Sequence, residues 1–145
     1  MKRELINLYR EACLENPDAM VFLLAFHCYA HAVDDLVDEG CTPEKLLDCL
    51  AQANAMYGTP FWLANSARLG GVISQIANTW ADSVAWERED EEWKRRVADV
   101  IRQCGNDMVT QVASIVGGWR HMRSISLRLR EHAYNEQHQE VKDGL

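Results

Sequence analysis

At 145 residues, 48% hydrophobic and 26% charged, the chain is the size of one domain and can bury a core, which excludes a disordered segment. Its net charge of −7 excludes a binder of duplex nucleic acid, whose surface must be basic to displace counterions. Five cysteines without a CxxC pair predict free thiols, and the absence of an apolar leader after Met1 predicts a cytoplasmic protein. The longest apolar run, 19–26, is too short to span a bilayer.

Residues 3–15 carry Leu5, Ile6, Leu8, Tyr9, Ala12 and Cys13 at helical spacing. "ENPD" ends that helix, and Asp18 is the expected N-cap of a second, running to about Glu39 and closed by Gly40. "TPEK" starts a third, with Thr42 as N-cap, Pro43 in the first turn and an end near Gly58. Thr59 opens another helical segment, which Gly70-Gly71 should interrupt or kink before a run from Val72 to about Trp86. After the acidic stretch 87–92, one helix is expected from Trp93 through Val97, Ile101, Cys104, Met108 and Val112 to Ile115. Gly117-Gly118 marks a bend, a last helix covers about 119–134, and the polar tail from about 135 should fray. No strand-like alternation persists. The fold class is therefore all-α, a single-domain bundle of about six helices over 1–145.

The chemistry concentrates in the second helix. At about 100° per residue, His27, His31, Asp34 and Asp38 fall on one stripe, with Asp35 and Glu39 beside it. From 19 to 33 there is no charged side chain, so this helix should be buried all round and both histidines interior. Clustered carboxylates repel one another, and the helix C-terminus disfavours them further, so a compensating cation is expected. Carboxylate oxygens suit Mg²⁺, which takes one or two carboxylates together with waters and phosphates.

"YAHAVDDLVDE", Tyr29–Glu39, resembles the first aspartate-rich motif of trans-isoprenoid synthases, closest to the squalene and phytoene synthase branch. The resemblance implies an isoprenoid-synthase-like bundle in which Asp34, Asp35, Asp38 and Glu39 hold Mg²⁺ and a substrate diphosphate. "NDMVTQVAS" resembles the second metal motif of terpene cyclases, with Asn106 and Thr110 in place and Ser114 where the family has an acid. His27, His31, Asn78, Asp82, Asn106 and Asp107 are the side chains expected to converge on the substrate. Arg120, Arg123, Arg128 and Arg130 of the last helix could meet phosphate oxygens.

Three other readings stay open. An all-α nucleotide pyrophosphohydrolase would pair the acids of the second helix with Glu44 and Asp48 of the third. A zinc site could use His27, His31 and Asp34. A non-enzymatic interaction protein would use its tryptophans and apolar stripes for core and oligomer contacts. A bundle of this size fills its interior with its own side chains unless it dimerises, so a homodimer is among the expected partners.

Overall fold

A computed structural model describes residues 1–143 of the chain, with side chains described to Asn135. The described residues form helices and no strand: α1 (Arg3–Cys13), α2 (Pro17–Asp38), α3 (Pro43–Tyr57), α4 (Pro60–Glu87), α5 (Glu92–Ile101), a 3-10 turn (Arg102–Gly105) and α6 (Asn106–Asp143). The expected frayed tail from about 135 is the distal part of α6 as far as Asp143; its side chains, and residues 144 and 145, lie outside the described residues.

Local chemistry sets the boundaries. Leu14 and Glu15 turn the chain with positive φ (48° and 58°). Asn16, not Asp18, caps α2: its Oδ1 accepts from Ala19 N at 3.1 Å, and Pro17 takes the first helical position. Thr42 and Thr59 cap α3 and α4 as their sequences suggest, accepting from Lys45 N and Trp62 N. Gly40, at φ 91°, reverses the chain after α2.

Two bends lie elsewhere than expected. α4 kinks at Asn65 (φ −126°, ψ 16°), whose Nδ2 donates to Phe61 O at 2.9 Å, and runs straight through Gly70-Gly71. The single helix expected from Trp93 to Ile115 is split by the 3-10 turn at 102–105. α6 does break at Gly118 (φ 80°, ψ −176°). Gly117 is required there, because a Cβ would lie 2.5 Å from the His121 ring, whose Nε2 is 3.0 Å from Ala12 O.

The core is filled by Phe22, Leu23, Phe26, Met56, Phe61, Leu69, Met108, Val109, Val112, Ile125 and Leu129, from α2, α3, α4 and α6, with α1 closing one side through Leu8, Tyr9, Ala12 and Cys13. Phe22 stacks on Phe61 at 5.7 Å and Trp62 at 6.1 Å, which ties α2 to the start of α4. Arg128 pairs with Glu11 and joins the far half of α6 to α1.

The helix expected to be buried all round is not. Val21, Cys28 and His31 of α2 are exposed and His27 is half-buried. A helix is enclosed only if neighbours surround it, and α2 meets α1, α3, α4 and α6 with a gap left open along His27–Asp35. Among the described helices α2 alone is long and apolar enough, by length and composition, to cross a bilayer. A core helix packed in a bundle passes the same test.

Candidate functional site

The polar stripe of α2 divides. Its C-terminal part, Asp34 and Asp38, meets Arg102 of the 3-10 turn. The guanidinium lies 3.4 Å from Asp34 Oδ1, 3.2 Å from Asp38 Oδ1 and 2.8 Å from Glu87 Oε2 at the end of α4. It also sits over the Trp80 ring, 5.5 Å from its centroid, and Trp80 Nε1 donates to Asp34 Oδ1 at 2.7 Å. The Arg102 side chain is only 17% exposed, so its charge is screened less than that of a surface arginine. The cation that the acid cluster demands is thus supplied by the chain itself, at the helix end where the macrodipole makes carboxylates least welcome. Glu39 is held separately, by Lys45 Nζ at 2.8 Å.

The 3-10 turn makes this geometry. The tighter winding ends α5 at Ile101 and starts α6 at Asn106, placing Arg102 between the ends of α2 and α4. Trp80 and Glu87 are seven residues apart on α4 and so share a face. Asn78 and Asp82, each two residues from Trp80, point elsewhere and are exposed. Neither converges on Asp34 and Asp38. Asn106 is half-buried at the start of α6, and Asp107 lines a different groove, of about 400 Å³, with Arg68, Gln75, Thr110 and Gln111. Thr110 Oγ1 donates to Asp107 O at 3.1 Å, a local turn of the helix.

The other part of the stripe faces an open groove of about 570 Å³ between α1, α2, α3 and α6. His27, Cys28, His31 and Asp35 line it from α2, Asp48 from α3, Lys2 and Leu5 from the α1 side and His132 from α6. The His27 and His31 rings lie 4.3 Å apart, centroid to centroid, and Tyr9 Oη is 3.3 Å from His27 Nδ1. Burial, then the neighbouring His31, holds the His27 imidazolium down at a pKa of about 4, so His27 is neutral at pH 7. Burial pushes the Tyr9 phenol up to about 12, leaving it a fixed hydroxyl beside that ring. His132 Nδ1 is 3.6 Å from Glu4 Oε2.

Asp35 and Asp48 make no hydrogen bond or ion pair with the described residues, unlike Asp34, Asp38 and Glu39. Among the described residues, no three of His, Cys, Asp and Glu are arranged to hold a metal ion. A metal ion between Asp34 and Asp38 would have to displace Arg102. In the groove, Asp35 and Asp48 offer carboxylate oxygens from two helices, a set that suits Mg²⁺ when phosphates and water complete it. Arg128, one of the basic residues expected near a phosphate, is engaged by Glu11.

Arg102, Trp80 and Glu87 carry no motif. The one available signal was a lone arginine between Ile101 and Cys104 in an apolar stretch, which needs an acid somewhere. No family model, curated protein or solved structure matches this chain.

Proposed function

We propose that the chain binds a small phosphorylated ligand of the diphosphate class, as its Mg²⁺ complex, in the groove between α1, α2, α3 and α6. The observation that carries this reading is the pair Asp35 and Asp48, without a hydrogen bond or ion pair among the described residues, on a groove that His27, His31, His132 and Lys2 also line. Asp35 and Asp48 would hold the metal, which would shield the phosphate charge, and Lys2 and the histidines would meet phosphate oxygens. The groove volume is within the range of small-molecule sites. The aspartate-rich motif supports the same ligand class, with the metal role moved from Asp34 and Asp38 to Asp35.

The test is thermal unfolding with Mg²⁺ alone, pyrophosphate alone, both together, and a prenyl diphosphate with Mg²⁺. A ligand that binds only the native state raises the melting temperature, by the equivalent of about 2.7 kcal/mol at a hundred times its dissociation constant. The combined additions should raise it, and the double variant Asp35→Asn/Asp48→Asn should lose the response. If no combination shifts the wild type, the reading fails.

The placement of Asp35 and Asp48 on neighbouring helices also suits a nucleotide pyrophosphohydrolase. Release of pyrophosphate from a panel of nucleoside triphosphates distinguishes hydrolysis from binding.

A further inference from the structure

One face of α4 has no neighbour among the described residues. Beyond the kink at Asn65, Ala67, Gly71, Ser74, Asn78, Ala81 and Ala85 are all exposed, spaced alternately by four and three residues. That is the spacing of a coiled-coil seam, kept for more than two heptads. The opposite side of the helix, at Leu69 and Ser83, is buried in the bundle. An outward helix face is ordinarily charged, yet no side chain in this seam is longer than asparagine. Gly70 and Gly71 sharpen the anomaly. Glycine weakens a helix relative to alanine, α4 does not bend there, and a Cβ built on either would meet nothing within 4 Å. Nothing among the described residues requires them.

The charges beside the seam identify the occupant. Arg68, Gln75 and Asp82 flank it on one side, seven residues apart and exposed. Neither Arg68 nor Asp82 has an ion pair or side-chain hydrogen bond with the described residues. Their order is self-complementary: inverted about Gln75, Arg68 falls on Asp82 and Gln75 on itself. In an antiparallel pair of identical helices, residues flanking the same side of the seam meet across it. We propose that the chain forms a twofold homodimer in which α4 packs antiparallel on α4 of a second copy, with Arg68 of each opposite Asp82 of the other. A parallel pair would instead set each beside the uncharged residues on the other flank of the partner's seam, Gly70, Ala77 and Val84, with no opposite charge to meet. Arg68, Gly71 and Gln75 also line the groove of about 400 Å³ whose other wall is Asp107, Thr110 and Gln111 of α6, so α6 borders the seam on that side. An isologous contact of this kind closes on itself as a dimer.

Sedimentation equilibrium on the full chain tests it. Wild type should show dimer mass. Arg68→Asp and Asp82→Arg each put like charges across the seam, and each should raise the dimer dissociation constant by about tenfold or more. The double variant R68D/D82R re-creates both pairs in reverse and should restore association. Helicity by circular dichroism should be unchanged in all three, because neither side chain has an ion pair or hydrogen bond among the described residues. The proposal is overturned by a wild type that stays monomeric at every concentration. It is equally overturned by a dimer indifferent to the single reversals, or by single reversals that the swap does not rescue. None of these readouts involves the ligand groove.

Discussion

The two ends of the α2 stripe invite comparison because their sequences are so alike. Asp34 and Asp35 are adjacent, yet Asp34 meets Arg102 and Trp80 while Asp35 faces an open groove with no hydrogen-bond or ion-pair partner among the described residues. At the Arg102 end, three carboxylates share one shielded guanidinium, and the charge balance is settled within the fold. At the groove end, carboxylates and imidazoles are left for solvent or a ligand. The difference separates acids whose charge is met within the fold from acids left facing the groove. Neighbouring positions in one motif can belong to either class.

The comparison breaks most visibly at Arg102. Arg102→Met keeps much of the apolar stem over Trp80 and removes the charge, leaving Asp34, Asp38 and Glu87 to repel one another. Half-shielded pairs lie between surface and buried ones, so the expected loss is about 2–3 kcal/mol in urea unfolding. A loss under about 0.5 kcal/mol would reduce the arrangement to an ordinary surface pair. Asp34→Asn keeps an acceptor for Trp80 Nε1 and gives up only the ionic part, so about 1 kcal/mol should be lost.

The all-helical class was legible because a period near 3.6 persists along the chain, and Thr42 and Thr59 announce their helices by local capping chemistry. The 3-10 turn was not legible. Val97, Ile101, Cys104 and Met108 continue the apolar period through it, because a turn of four residues barely shifts the phase of the pattern. Gly70-Gly71 looked like a kink, but the bend is at Asn65, whose side chain takes over a carbonyl of the helix. For the site, the acidic stripe was legible. That Arg102 meets Asp34 and Asp38 was not, since Arg102 lies 64 residues from Asp38 in sequence and no local pattern joins them. The same long-range packing decides that Asn78 and Asp82 point outward while Trp80 and Glu87 point in.

A smaller effect should appear with pH on the groove side. His27 has a folded pKa depressed from 6.5 to about 4, so between those values the unfolded chain binds the proton and the native chain does not. Stability therefore rises with pH across that window and is lost as pH falls from 6.5 toward 4. The groups facing His27 are Tyr9, His31 and, along the groove, Cys28, Asp35, Asp48, Lys2 and His132. His27→Gln should flatten the slope of melting temperature against pH in that range, while His31→Gln should leave a slope. An unchanged profile in His27→Gln would assign the acid sensitivity to other groups.

The smallest stability effect sharpens the comparison furthest. Asp35→Asn and Asp48→Asn remove charges that have no partner among the described residues, so each should shift unfolding free energy by no more than about 0.5 kcal/mol. Removing the Asp35 charge near the C-terminal end of α2 could even raise it slightly, since the helix dipole disfavours a carboxylate there. The same pair of substitutions should abolish any stabilisation by Mg²⁺ with pyrophosphate, whereas Asp34→Asn should lower stability and leave that ligand increment intact. The reverse pattern, with Asp34→Asn erasing the increment, would mean that Arg102 yields its carboxylates when ligand arrives. The Arg102 cluster would then be the resting state of the binding site, and the line drawn through the stripe between Asp34 and Asp35 would vanish.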